Sequence, residues 1–487
     1  MSLRNKKDRK KTGNNSGKTM SRRINGYILG MVYLFILLFI GLAGYLCYFT
    51  WKEAPELVNN PYNGRLAKLN QSVVRGDITS SDGTVIAYSE VNDGEEIRKY
   101  PYDEAFAHVV GYTNVGEAGL ESTAGYYLLN SHESALNKLY KEITDQKVTG
   151  DTVVTNLDKD LQQMISDAMD QYQGACVVME PSTGKIRAMV SKPDFNPNTL
   201  ETDYEKLVSD QSNSNLVNRA TRGLYSPGST FKLVTALAFM EQNPDDWTNY
   251  QYKCEGSIRL GDQVIHCSHN TKHGKVDLTK SIAKSCNSSF VNIGVSLDIT
   301  QFRETAERLM FNQKLNTGFS TAVSKFDLTP ESSQALVMQT SFGQGNTLIT
   351  PLQNAMITSA IANLGVMMNP QLLDHVVSAD GSVVEQYDPE SLGSVMTAEQ
   401  AMALSDMMME TVNNGTAKVL KSSGYQAAAK TGSAQTDNEK ETDAWMVAFA
   451  PADNPRYVVS MVLEEAGAGS ETAGPIIKKI FDTLLAD

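Results

Sequence analysis

Ser229-Thr-Phe-Lys232 sets a hydroxyl and an amine three residues apart, so on a helix the two side chains share a face. Ser226-Pro227-Gly228 ends the preceding segment and puts Ser229 at a helix start, where the amide dipoles favour an anionic oxygen. Phe231 to Met240 is an apolar run, so this helix is expected to be buried on most sides and Lys232 with it. Burial disfavours an ammonium, and an uncharged amine beside a hydroxyl is a general base beside a nucleophile.

Two further groups follow. Ser285-Cys-Asn287 closes a helix-like stretch, and Lys430-Thr-Gly432 follows the small-residue strand Tyr425 to Ala429 and continues into Ser433-Ala434-Gln435. Gly432 leaves room for a ligand backbone to approach. Each group has a decoy: Ser281-Ile-Ala-Lys284, Ser268-His-Asn270 and Lys11-Thr-Gly13. Taken singly, each also reads as a helix cap or a surface lysine. Order, flanks and placement beyond the amino-terminal apolar run separate the set from its decoys.

That ordered set resembles the signature of the penicillin-binding proteins. Arg75-Gly-Asp-Ile78, Gly119-Leu-Glu121, Asn218-Arg-Ala220, Gly343-Gln-Gly345, Thr350-Pro-Leu-Gln353 and Asp443-Ala-Trp445 resemble segments of the monofunctional class B members, over nearly everything after Thr50. The resemblance implies a peptidoglycan D,D-transpeptidase that cross-links stem peptides, is acylated by β-lactams and needs no cofactor. By the same resemblance Ser229 attacks the carbonyl, Lys232 takes its proton, Ser285 relays a proton to the leaving amine, and Asn287 holds Lys232 and the substrate amide. Lys430, Thr431 and Ser433, with Gly432 between them, would bind the terminal carboxylate. The backbone amides of Ser229 and Ser433 would form the oxyanion hole. Cys286 departs from the Asp at the middle of the second motif.

The elements that must position these groups are those of an α+β domain, an antiparallel sheet flanked by helices. Asp158 caps a helix whose apolar face is Leu161, Met164, Ile165, Ala168 and Met169. Strands are expected at Ala175 to Met179 and Ile186 to Ser191, joined by the turn Pro181 to Gly184. A hairpin is expected from Ala444 to Leu463 around Pro451 to Pro455, then a closing helix from Pro475 to Leu485. The two halves of the sheet thus come from distant stretches of sequence. Residues 151–487 form this domain, and residues 50–150 form a smaller pedestal, with strands near Gln71 to Ile78 and Thr84 to Tyr88. Turn signals fall at Asn60-Pro61, Asp82-Gly83 and Asp93-Gly94.

Charge and hydropathy place the chain. Residues 1–23 hold nine Lys or Arg against Asp8 alone, net +8, which leaves −21 for the remainder of a chain of net −13. Such a tail suits a nucleic-acid arm, but the uncharged Tyr27 to Phe49 run after it is the length of one membrane helix. Basic residues before the span place tail 1–26 in the cytoplasm and everything after the span, residues 27–49, outside the bacterial cell membrane. No nucleic-acid partner is expected. A cleaved signal peptide would have a shorter apolar region and a small-residue cleavage site.

About 100 residues separate span and catalytic domain, too few for a glycosyltransferase domain, so the resemblance also implies a membrane glycan polymerase as partner. Hydrolysis, as a D,D-carboxypeptidase or β-lactamase, uses the same acyl-enzyme. A penicillin-sensing or scaffold protein is a third reading, but few residues precede the span for an output domain. Cys254 and Cys267 could form a disulfide. With His266, His269 and His273 nearby they could suggest zinc, but the spacing fits no ligand pattern, and no metal is expected.

Overall fold

The computed structural model describes residues 16–52, 73–92, 95–144, 146–210, 213–435 and 441–486. Residues 1–15 of the basic tail with the Lys11-Thr-Gly13 decoy, the Asn60-Pro61 and Asp93-Gly94 turn signals, and Gln71 at the head of the first expected strand lie outside the described residues. The chain divides into two compact units, Met1–Asn63 and Gly64–Asp487. In the first, helix α1 (Ser16–Lys52) contains Tyr27–Phe49, a stretch long and apolar enough to cross a membrane, whose apolar side chains are exposed.

The second unit opens with β1 (Val73–Val74), β2 (Ile78–Thr79), β3 (Val85–Asn92) and β4 (Glu95–Lys99). β2, β3 and β4 run antiparallel in sequence, turned at Asp82-Gly83, where Asp82 accepts from Ser80 Oγ and Thr84 N. The nine-residue helix α2 (Ala135–Ile143) leads to β5 (Val148–Thr149), parallel to β1, and β6 (Thr152–Thr155), parallel to β2. Two strands from far along the chain, Leu373–Val377 and Val383–Gln386, extend this sheet to six. It therefore spans the boundary expected at residue 150.

Helix α3 (Lys159–Ala168) starts at Asp158, whose side chain accepts from Leu161 N. Next come β7 (Gly174–Met179) and β8 (Ile186–Lys192), and at the other end of the chain β9 (Ala428–Gln435), β10 (Thr442–Ala450) and β11 (Tyr457–Leu463). They form one five-stranded antiparallel sheet in the order β9-β10-β11-β7-β8, closed by the β11–β7 pair that joins the distant halves. The expected strand Tyr425 to Ala429 begins only at Ala428 and runs on to Gln435, so Lys430, Thr431, Gly432 and Ser433 are strand residues.

Both faces of the sheet are covered, which is why its strands read as continuous apolar runs. Cys176 and Val178 pack with Leu161 and Ile165 of α3 and with Ile477 and Phe481 of the closing helix Ala473–Leu484. Val177 and Met179, one residue out of phase, belong to the other core with the helices Lys232–Gln242 and Pro351–Ala362. The second of these is buried along its entire length.

Candidate active site

Ser229 lies in a 3-10 turn, Gly228–Phe231, that runs into the helix Lys232–Gln242. Two glycines let other segments close on this turn. Gly343, at φ +84, accepts from Gly228 N at 2.9 Å, and a Cβ there would stand 1.9 Å from Gly228 O. A Cβ on Gly432 would come within 2.8 Å of Trp445 Cβ and 3.2 Å of Thr230 Cγ2. On the side where a Cβ would point, what approaches Gly432 this closely is the protein itself. The first and third motifs are thereby held in contact. Trp445 Nε1 donates to Ser226 O at 3.1 Å and its ring meets Tyr225 edge-on, while Glu464 accepts from Tyr225 Oη at 2.6 Å and Arg219 Nε at 2.7 Å.

The second motif is the turn between the helices Leu278–Ala283 and Asn287–Gly294, with Ser285 in the left-handed region at φ +54. Lys232 Nζ donates to Ser285 O at 2.8 Å, Ser285 Oγ at 3.1 Å and Asn287 Oδ1 at 2.7 Å, and stands 5.6 Å from the Phe290 ring centre. Lys430 Nζ donates to the same Ser285 Oγ at 3.0 Å and to Thr431 O at 2.8 Å. Thr431 Oγ1 meets Thr416 Oγ1 at 2.5 Å, Gly432 is buried, and Ser433 is exposed. Ser229 is half-buried, and among the described residues its hydroxyl makes no hydrogen bond. The expected Lys232 contact to that hydroxyl is replaced by contacts to the second motif.

Both lysines are fully buried. Burial pushes Lys232 down to about 7, partly opposed by the Cys286 and Cys267 thiols. Burial and then the neighbouring Lys232 hold Lys430 well below the ordinary lysine range. The site thus sets Ser229 at the start of the helix that carries one buried, lowered amine, with a second buried, lowered amine on β9.

The decoys are structural. Ser281 Oγ donates to Asp277 O and meets Ser289 Oγ, and Lys284 Nζ donates to Asn414 O. Ser268–Asn270 is a separate 3-10 turn.

Behind the second motif lies a cluster that the motif reading splits apart. Cys254 and Cys267 are free thiols with Sγ atoms 3.7 Å apart, far beyond a disulfide's roughly 2.05 Å. Cys286 Sγ lies 3.8 Å from Cys267 Sγ, and His273 Nδ1 lies 3.4 Å from Cys254 Sγ. All four donor atoms fall within 4.8 Å of one another. A tetrahedral zinc with Zn–S of about 2.3 Å separates its sulfurs by about 3.8 Å, close to the two Sγ separations here, so the chemistry and spacing of the four residues fit zinc. His266 and His269 are not in the group; His266 O accepts from Asn287 Nδ2 at 2.9 Å. The Cys267 thiol is lowered by its hydrogen bond with Cys286 and, against burial, by His273. The same hydrogen bond, with burial, raises the Cys286 thiol.

Fold and site define a serine acyltransferase. The penicillin binding protein transpeptidase domain matches residues 174–482 and the penicillin binding protein A dimerisation domain matches residues 75–153. The chain belongs to the penicillin-binding protein family. It is 31% identical over 454 residues to the peptidoglycan D,D-transpeptidase PbpA of Mycolicibacterium smegmatis, covering 87% of this chain and 91% of that one. It is 28% identical over 448 residues to the peptidoglycan D,D-transpeptidase MrdA of Acinetobacter baumannii, covering 80% of this chain and 66% of that one. The ceftriaxone acyl-enzyme complex of penicillin-binding protein A from M. tuberculosis is similar with a TM-score of 0.79 and 28% identity, over 86% of this chain and 100% of that chain.

Proposed function

We propose that the chain is a class B peptidoglycan D,D-transpeptidase, anchored by Tyr27–Phe49, with its amino terminus in the cytoplasm and residues 64–487 outside. Ser229 Oγ attacks the penultimate D-alanine carbonyl of a stem peptide. The Oγ–C bond forms, the C–N bond to the terminal D-alanine breaks, and the Ser229 proton passes to the Lys232 amine and through Ser285 Oγ to the leaving nitrogen. An amine of a second stem peptide then reverses these steps and takes the acyl group. The amides of Ser229 and Ser433 would hold the oxyanion, each such donor being worth about 3 to 4 kcal/mol of barrier. Lys430, Thr431 and Ser433 would bind the terminal carboxylate, whose charge favours protonation of Lys430. A membrane glycan polymerase would supply the strands, and β-lactams would acylate Ser229 as the donor peptide does.

One observation carries this reading: Ser285 Oγ accepts from Lys232 Nζ and Lys430 Nζ together, linking the base of the first motif to the anion grip of the third. Incubating the full chain with a D-Ala-D-Ala stem peptide, with and without an acceptor amine, tests it. Cross-linked product should form only with acceptor, and benzylpenicillin should add its mass at Ser229. Free D-alanine alone, whatever the acceptor concentration, would turn the assignment to hydrolysis.

A further inference from the structure

Helix α2 is turned inside out. Leu136, Leu139, Tyr140 and Ile143 fall at i, i+3, i+4 and i+7, one face of the helix, and they are 79%, 52%, 65% and 76% exposed. The opposite face is tied to the segment just ahead of the helix: Lys138 Nζ donates to Ser131 O at 2.6 Å, and Lys141 Nζ pairs with the carboxylate of Glu133, itself 6% exposed. Leaving a Leu or Ile in water forgoes about 1.5 to 3 kcal/mol of burial per side chain. A helix that ties down its lysines and leaves its leucines in water is built to meet something apolar.

The place of α2 in the chain says what. Gln146 N donates to Lys141 O at 2.8 Å, and the chain passes from there into β5, which pairs in parallel with β1. β1 begins at Val73, and residues 53–72 connect it to the end of α1. The exposed stripe is therefore followed shortly by β5, whose partner β1 is the first described strand after the span. Its size also selects the occupant. Four side chains on one short helix fall well below the roughly 800 Å² per partner of a stable protein pair. A lipid surface demands less, because a tether already supplies a high effective concentration. Leu, Ile and Tyr on one face with lysines on the other is the composition of a helix lying at a lipid interface.

We propose that α2 rests on the membrane, with Leu136, Leu139, Tyr140 and Ile143 inserted at the headgroup–acyl boundary, giving the body a second attachment besides its tether. The proposal rests on the anchoring assigned above to Tyr27–Phe49.

The full chain, carrying Trp51→Phe to remove the tryptophan at the span and Tyr140→Trp as reporter, is reconstituted in vesicles of equimolar phosphatidylcholine and phosphatidylglycerol with brominated acyl chains. Tyr140→Trp should lose roughly half its added emission relative to unbrominated vesicles. Met402→Trp, exposed elsewhere on the body, should be unaffected. Leu139→Ser with Ile143→Ser should abolish the quenching and leave fluorescent-penicillin labelling intact, which reports the fold. Quenching no greater than at Met402→Trp overturns the proposal. So does shielding from acrylamide that grows with protein-to-lipid ratio, the sign of a second copy, or that needs native membrane, the sign of another protein. A chain that fails to float with the vesicles overturns the anchoring and this proposal together; one that floats unquenched overturns this proposal alone.

Discussion

Ser285, Cys286 and Asn287 are consecutive, yet they serve two regions of opposite chemistry. Ser285 and Asn287 face the buried amines of Lys232 and Lys430, whereas Cys286 faces the soft donors Cys254, Cys267 and His273. On one side, burial lowers the two amines; on the other, hydrogen bonds lower the Cys267 thiol. A turn that holds a non-glycine residue at φ +54 needs support from both flanks, and the difference suggests a division of labour. On the reading proposed above, the amines move the proton and bind the carboxylate, and the thiol side fixes the turn from which Ser285 and Asn287 reach them.

The largest expected effects lie on the amine side. Ser229→Ala should abolish labelling by fluorescent penicillin, and Lys232→Met should slow acylation on the order of 10³-fold or more, with the thermal midpoint retained in both. If Lys232→Met acylates normally, the base is another group and the comparison fails at its first term.

On the thiol side, metal analysis of the purified chain should find one zinc per chain, absent in Cys267→Ser. Stripping the metal, or Cys267→Ser, should slow penicillin acylation roughly 10- to 100-fold and lower the thermal midpoint by several degrees. A metal-free chain with full acylation rate would leave the cluster as plain core and remove the support assigned to it.

The pH profile sharpens the contrast. Lys232 must be uncharged to accept the Ser229 proton, and burial brings it to about 7, so acylation should rise with pH, about tenfold per unit below 7, and level off above. A profile flat from pH 5 to 9 would mean that Lys232 stays uncharged throughout or is not the base.

The two regions were also unequally legible. The amine side is written in three short motifs, each with its own members within a few residues of one another, and its sheet announces itself because strands covered on both faces read as unbroken apolar runs, as in Gly174-Ala-Cys-Val-Val-Met179. Asp158 and the Ala444 to Leu463 hairpin are equally local signals. The thiol cluster is not local. Antiparallel pairing sets Gly274 opposite Cys254 and so brings His273 to it, and the Ser257–His266 hairpin returns Cys267 to the same point. Cys286 arrives from a helix junction. Counting Cys286 with the two cysteines and His273 was the available signal, and its place inside the second motif hid it. The six-stranded sheet was hidden for the same reason, since Leu373–Val377 joins Thr152–Thr155 across more than half of the catalytic domain.

The smallest effect is expected where a decoy tests the turn from its third side. The helix Leu278–Ala283 leads directly into Ser285, and Lys284 fixes its end by donating to Asn414 O, an exposed contact. Exposed contacts of this kind contribute little, about 0 to 1 kcal/mol. The turn is held instead by Cys286 N donating to Ser281 O at 2.9 Å and by the side chains on either flank. Lys284→Ala should therefore leave penicillin acylation within about twofold of the parent and the midpoint within a degree or two. A loss comparable to Cys267→Ser would show that the turn is positioned along the chain from that helix end, and the thiol cluster would then be a bystander to the geometry of Ser285.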